Sequence, residues 1–346
     1  MDAVESSLAG LLVSAPVVAA PMAGGPSSPE LVAAAAAAGG FGFLAAGYQT
    51  SHSLAHQITI TRGLTDRFGV NLFAPNPVPV DPVAFRGYAH ALAPVASGYG
   101  LDLRASEIIE DDDGWQEKVD LLVADPVPLV SFTFGIPDVR VVRAFRRAGS
   151  VTAQTVTCVH EALAAREAGV DVLVVQSSAA GGHWGTLTPD RPPEQLPLRA
   201  LVRAVRSEVR LPVLAAGGLG TAADVAAVLD AGAAAAVVGT ALLPSPESGA
   251  STVHKAALMK GSRGNPTLTR AFSGRSARAL RNTFVSRFDR IAPPGYPAIH
   301  HLTSPLRKAA ARAGDPELVN LWAGLGYRHA SKSPVTTTLT RLSSNA

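Results

Sequence analysis

Val172-Leu-Val-Val-Gln-Ser-Ser-Ala-Ala-Gly-Gly-His-Trp-Gly185 joins an unbroken apolar run to a glycine-rich turn, and the architecture of the chain follows from it. Four consecutive apolar strand formers follow Asp171 without alternation, as expected of a parallel strand buried on both faces. The run then breaks into a glycine-rich turn that carries His183. In α/β folds such a turn lies at the C-terminal end of the strand, where backbone N–H groups are left over for a ligand. Gly181 and Gly182 let a flat or anionic group approach the backbone with no Cβ in the way. An imidazole with an ordinary pKa near ~6.5 can exchange a proton there at working pH. A plainer reading has His183 filling space beside Trp184. Two glycines, a histidine and a third glycine converging after one strand favour the chemical reading.

The same unit recurs along the chain. Strand-like runs occupy Val17–Met22, Phe41–Ala46, Phe68–Phe73, Leu129–Phe134, Val151–Val156, Val172–Gln176, Pro212–Ala216 and Ala234–Gly239. Helix-like stretches at Ser28–Ala38, Val139–Arg147, Val159–Ala168, Leu198–Ser207 and Ala222–Ala231 alternate with them. Gly39, Gly149, Gly169 and Gly232 follow helices at C′-like positions, and Thr157 and Thr221 stand as candidate N-caps. Eight strands in this alternation predict an α/β protein built on a closed (β/α)8, or TIM, barrel rather than an open sheet.

Two stretches depart from the rhythm. Residues 75–125 hold Pro75-Asn-Pro-Val-Pro79, a helix-like stretch and the acidic run Glu110-Asp-Asp-Asp113. That run reads as a solvated turn, because four adjacent acids on a short loop cannot converge on one metal ion. Beyond Pro244 the chain turns mostly helical and rich in arginine. The expected organisation is a barrel over residues 1–245, a smaller, mostly helical C-terminal cap over 246–330 that completes the site, and a disordered Ser/Thr-rich tail over 331–346.

Composition narrows the function classes. Hydrophobic residues make up 47% of the 346 and charged residues 16%, below the ~25% of ordinary soluble domains, so the core should be large. No apolar run reaches the ~20 residues a bilayer requires, and no basic segment precedes the first apolar stretch, so neither a membrane span nor a signal peptide is expected. Cys158 is the only cysteine, which excludes an internal disulfide framework and an all-cysteine metal site and fits a reducing, cytoplasmic setting. Between His254 and Arg312 there are twelve Lys or Arg against one acid, Asp289, in a chain of net charge +3. With few aromatics and no nucleic-acid motif, that segment reads as a solvated face or subunit contact, or as a field that draws in a small anion. Nucleic acid is not an expected partner, and homo-oligomerisation is left open.

Several strand ends carry residues that packing alone does not require. Gly217-Gly-Leu-Gly220 runs into the helix near Thr221, and Val237-Val-Gly-Thr240 closes the last strand. Loops after strands seven and eight, feeding helix N-termini, are where this barrel holds phosphate, so a phosphorylated ligand is expected there. Asn71 and Gln176 each place a neutral amide at a strand end, and such groups are costly to bury unpaired. A ligand edge that shows both donors and acceptors, such as an isoalloxazine, suits them; an internal hydrogen bond is the alternative for each.

Taken in order, Ala20-Pro-Met-Ala-Gly-Gly25, Gly69-Val-Asn-Leu-Phe73, Val130-Ser-Phe-Thr-Phe-Gly-Ile-Pro137, Ala179-Ala-Gly-Gly-His-Trp-Gly185, Ala215-Ala-Gly-Gly218 and Leu321-Trp-Ala-Gly324 resemble the nitronate monooxygenase family, formerly called 2-nitropropane dioxygenases. The resemblance runs from about residue 17 to 328, and the glycine–histidine turn is its most specific element. It implies an FMN-containing barrel that oxidises alkyl nitronates, and nitroalkanes in some cases, with dioxygen to a carbonyl compound and nitrite. By position it implies FMN contacts from Met22, Asn71, Gln176, Gly181, Gly218, Val237, Val238, Gly239 and Thr240, with His183 as catalytic base or nitronate binder, no metal, and a small anionic organic substrate with O2 as partners. Val237-Val-Gly-Thr240 is more apolar than the family's version, which leaves phosphate contacts there to main-chain N–H groups and Thr240. The region Tyr296-Pro-Ala-Ile-His-His301 is expected in the substrate lid. Two other functions remain compatible with these residues: an NAD(P)H-dependent FMN reductase of the quinone or enoyl-thioester type, and a non-catalytic flavin-binding module. A Ser–His hydrolase is disfavoured, since Ser177 and Ser178 lie in no Gly-x-Ser-x-Gly elbow.

Overall fold

In the computed structural model, which describes residues 8, 10–12, 14–191 and 194–345, eight parallel strands close into a barrel. They are β1 (Val17–Ala19), β2 (Phe41–Ala45), β3 (Phe68–Ala74), β4 (Leu129–Phe134), β5 (Val151–Val156), β6 (Val172–Gln176), β8 (Val213–Ala216) and β9 (Ala235–Val238), while β7 (Gly182–His183) belongs to a second sheet. Closure is visible at Val18, which registers with Phe41 on one side and Val237 on the other. Each expected strand is present: β4, β5 and β6 span the expected residues, β3 runs one residue longer, and the other four are shorter, β1 by three residues.

Outside the barrel lie α1 (Pro29–Ala37), α2 (Ser51–Arg62), α3 (Pro82–Ser97), α4 (Trp115–Ala124), α5 (Val139–Arg147), α6 (Val159–Glu167), α7 (Leu198–Glu208) and α8 (Ala222–Asp230). Local chemistry sets their ends. Ser28 caps α1 by accepting from Leu31 N at 3.2 Å, with Pro29 at the first helical position. Thr221 caps α8 in a reciprocal box with Asp224. Thr157 does not cap α6 as expected: Cys158 takes the N-cap position, and Thr157 instead donates its N–H and hydroxyl to Glu161 Oε2.

Alternation along the strands sorts side chains between two compartments. Val172 and Val174 of β6 point into the barrel with Phe41, Phe43 and Leu214, while Leu173 and Val175 pack outward against the helices. Each such side chain fully buried contributes about 1.5–3 kcal/mol. The same rule separates neighbours on β9, where Val237 faces inward and Val238 outward.

The two stretches that break the βα rhythm pack on each other. Phe85, Tyr88 and Leu92 of α3 share one apolar cluster with Phe272, Phe284, Leu302 and Leu321 from the C-terminal segment. That segment holds α9 (Thr252–Lys260), α10 (Thr283–Phe288) and α11 (Ala298–Arg312), and also β10 (Thr267–Thr269) and β11 (Ala277–Ala279). β10, β11 and β7 form a three-stranded antiparallel sheet in which Ala277 registers with His183. The cap is thus part sheet, and it reaches back to hold the histidine turn.

Residues 331–345 are not a disordered tail. α12 (Val335–Leu342) packs on α1 and α8, with Val335, Leu339 and Leu342 fully buried. Their spacing of four and three puts all three on one helical face, which the Ser/Thr-rich composition conceals. No helix among the described residues is long and apolar enough to cross a membrane.

Candidate active site

The C-terminal ends of the barrel strands and the cap enclose a cavity of ≈ 680 Å³. Its wall includes Met22, Asn71, Gln176, Gly181, His183, Gly218, Val237, Gly239 and Thr240, so all but one of the residues singled out from the sequence meet there. Val238 is the exception. It is fully buried against the outer helices, on the face opposite its neighbour, and only its carbonyl is turned to β1, accepting from Ala20 N at 2.9 Å. Its side chain therefore cannot contact a ligand.

His183 is held on several sides. Pairing with β11 fixes its backbone, and its Nε2 lies 2.8 Å from Ser273 Oγ. When Ser273 turns its own proton to the Arg275 carbonyl at 3.2 Å, its oxygen accepts from the imidazole, and in that tautomer the ring proton sits on Nε2. Nδ1, the basic nitrogen, has no hydrogen-bond partner among the described residues. Phe134, Tyr296 and Trp322 surround the ring, with centroids 5.8, 5.8 and 5.3 Å away. Desolvation, reinforced by Arg275 and Arg307, pulls its pKa down to about 3, so the ring is neutral in the free site.

The two strand-end amides differ. Asn71 Nδ2 is bonded to Ser131 Oγ at 2.8 Å and Thr133 Oγ1 at 3.0 Å, while its Oδ1 has no partner among the described residues. Gln176 spends its amide on the histidine loop, accepting from Gly185 N at 2.7 Å and donating to His183 O at 3.4 Å. It orients His183 and keeps one N–H for a ligand. Glu161 pins the next residues of that loop, accepting from Thr186 Oγ1 at 2.6 Å and Leu187 N at 2.7 Å.

The expected phosphate end needs one correction. Asp224 Oδ2 accepts from both Gly220 N and Thr221 N, so a carboxylate of the chain itself occupies the N-terminus of α8. The remaining cradle is Gly217 and Gly218, both at positive φ (121° and 76°), opposite Gly239 and Thr240. A Cβ on Gly218 would meet the Ala179 Cβ at 3.0 Å, and one on Gly181 would meet Gly324 N at 2.5 Å. Neither position has room for a side chain, which suits a cradle that offers an anion the backbone alone. Gly324 and Gly326, from the Leu321-Trp-Ala-Gly324 region, close the far side.

The rest of the wall includes His300 from the expected lid region, Phe73 from the Gly69–Phe73 motif, and residues with no individual signal in the sequence, namely Tyr48, His254, Arg307 and Lys308. His254 donates Nε2–H to the Trp322 carbonyl at 2.9 Å, and burial lowers its pKa to about 4. Arg307 is 9% exposed and bonds only neutral groups, among them Thr303 Oγ1, Asn320 Oδ1 and His300 O. Arg275 is 2% exposed, lies 4.1 Å over the Phe134 ring and donates to the carbonyls of Asn76 and Thr186. The arginine-rich segment is therefore not simply a solvated face: Arg275, Arg278 and Arg307 are buried. No aspartate or glutamate lines the cavity among the described residues. The acidic run is not a free turn either. Asp113 forms a 2.6 Å ion pair with buried Lys118, and Asp111 lies 3.0 Å from His301.

Comparison with known proteins follows the same outline. The model of the nitronate monooxygenase family matches residues 5–344. The chain belongs to that family. A probable nitronate monooxygenase from Staphylococcus aureus is 34% identical over 338 residues, covering 96% of this chain and 94% of its own. The solved nitroalkane oxidase from Streptomyces ansochromogenes is 45% identical, with a TM-score of 0.90 over 98% of this chain and 97% of its own. FabK from Thermotoga maritima, 24% identical with a TM-score of 0.74 over 97% and 94%, shares the fold. As a member of the nitronate monooxygenase family, the chain is a flavin oxidoreductase.

Proposed function

We propose that the protein binds one non-covalent FMN in the barrel mouth and oxidises alkyl nitronates, and nitroalkanes as further substrates, with dioxygen to a carbonyl compound and nitrite. One observation carries the choice of substrate. The cavity wall holds Arg307 and Lys308, no carboxylate, and a neutral histidine. Arg307 is buried and Lys308 exposed, and positive charge in the wall without a counter-charge favours a small anion, which a nitronate is. FMN rather than FAD follows from the single glycine cradle and the absence of a dinucleotide fingerprint in the sequence.

The residues present suit such a cofactor. Gly217, Gly218, Gly239 and Thr240 would receive the phosphate, and the unpartnered Asn71 Oδ1 and the spare Gln176 N–H would face the ring system, with Met22 and Gly181 beside it. Bound FMN supplies the electron acceptor and its reoxidation by dioxygen. The chain supplies everything else: Arg307 and Lys308 attract the anion, the aromatic wall excludes water, and His183 Nδ1 is available to take the α-proton of a neutral nitroalkane. A cytoplasmic location completes the reading.

Purified holoenzyme tests it. Anaerobic addition of ethyl nitronate should bleach the flavin, and admission of air should restore its colour with release of nitrite and acetaldehyde. Bleaching by NADH with indifference to the nitronate would reject the proposal in favour of a reductase, and FAD in the heat-released cofactor would reject the FMN assignment.

A further inference from the structure

Tyr48 follows β2 with φ +66°, a left-handed backbone that residues other than glycine rarely adopt. The acidic run holds it there. Tyr48 N–H donates to Asp113 Oδ1 at 2.8 Å, and Asp113 Oδ2 receives Lys118 Nζ at 2.6 Å, with the lysine 2% exposed. A buried ion pair contributes little net stability, because desolvating both charges offsets their attraction, but it does fix one geometry. The ring is clamped as well. It stacks on His300 with centroids 4.0 Å apart and 6° between planes, and meets Phe73 edge-on at 5.3 Å.

The hydroxyl is the informative part. Tyr296 Oη donates to Tyr48 Oη at 3.2 Å, so the Tyr48 oxygen is an acceptor in that bond and its own proton has no acceptor among the described residues. The residue lines the cavity, and Tyr296 also packs against His183. Burial pushes the Tyr48 pKa up to about 12, so the proton is present throughout the working range. A backbone in an uncommon conformation, an ion pair spent on holding it and an unspent donor therefore meet on one wall.

We propose that Tyr48 donates a hydrogen bond to an oxygen of the substrate's nitro group and that Asp113, paired with Lys118, is the positioning residue that holds it there. The inference rests on the nitronate reading above. In a nitronate the negative charge already lies largely on those oxygens. In a neutral nitroalkane it arrives there as the α C–H bond breaks, the pair moving through carbon and nitrogen to oxygen while the proton passes to His183. A fixed donor at that oxygen stabilises charge where it develops, without reorganisation.

Tyr48→Phe keeps the ring and removes only the donor. It should retain full flavin content, lose about 10²-fold in kcat/KM with nitroalkanes, and bind inorganic nitrate, a planar anion with the same O–N–O head, about tenfold more weakly by calorimetry on the holoenzyme. Asp113→Ala should give a similar loss, and adding it to Tyr48→Phe should cost little more, since both act through one contact. Lys118→Met provides the same cycle should Asp113→Ala fail to fold. Asp113→Asn, which keeps an acceptor for Tyr48 N–H, should restore much of the activity. Turnover and nitrate affinity both indifferent to Tyr48→Phe would overturn the donor role, and fully multiplicative losses in the double variant would overturn the positioning role. Wild-type enzyme inert to every nitronate yet binding nitrate through Tyr48 would reject the functional reading and leave the donor standing.

Discussion

His183 is a base whose strength depends on what lies beside it. In the free cavity, burial and two arginines hold its pKa near 3, weak for accepting a proton. In the proposed reaction a nitroalkane's α-proton would pass to His183, the imidazolium would form next to a new anion, and that pairing would offset the desolvation. A nitronate needs no such transfer. We therefore expect His183→Asn to retain flavin and to lose about 10²–10⁴-fold in kcat/KM with nitroalkanes, the range of a positioned base, and far less with nitronates. Steady-state rates on paired nitroethane and ethyl nitronate decide it; equal losses would make His183 a binding group. At this scale the sequence was most legible where chemistry is local. Gly218 and His183 stand in short motifs whose conformation the motif itself dictates. Ser273, Tyr48 and Arg307 carry no local signal, because each becomes functional only through partners far along the chain.

Among the elements, strands were legible and polar helices were not. Continuous apolar runs leave little choice but a buried strand, whereas α2 and α12 bury only Leu54, Ile58 and Thr61 in one case and Val335, Thr338, Leu339 and Leu342 in the other, among many polar residues. The sheet joining β7 to β11 was also hidden, since a two-residue strand has no period. Replacing Leu339 by Ala should lower unfolding free energy by about 2–5 kcal/mol, the usual cost of truncating a core leucine, with kcat of the folded enzyme unchanged. Denaturant titration measures the first and initial rates the second. In the proposed phosphate cradle, Gly218→Val combines a strained positive φ with a collision at Ala179, so flavin should be lost while the barrel survives. Absorbance near 450 nm and far-ultraviolet circular dichroism separate those outcomes.

For the whole molecule, three desolvated histidines, His254 buried and His183 and His300 partly so, tie stability to pH. The folded pKa falls to about 3 for His183, to about 4 for His254, and well below the ordinary value for His300, all chiefly through desolvation. Below the unfolded value of ~6.5 the unfolded chain binds more protons than the folded one, so stability is full above that pH and falls as pH drops toward 3. Melting temperature should decline steadily from pH 7 to 4, and His254→Gln, which removes one of the three groups without touching the proposed base, should flatten the slope. A flat profile would contradict the buried, neutral assignment. The barrel itself was readable from eight repeats of one unit; the cap's second half was not, because α3 joins it from an insertion between β3 and β4.

The antiparallel pairing of His183 with Ala277 also imposes an order in time. As the chain leaves the ribosome, every barrel strand is available once Val238 has emerged, yet the histidine turn still lacks its neighbouring strand and Ser273 is still to be made. A nascent protein thus owns a complete scaffold before it owns an aligned base. That turn is completed late in synthesis, and a product truncated after the barrel would keep the scaffold's strands without the partners that hold His183.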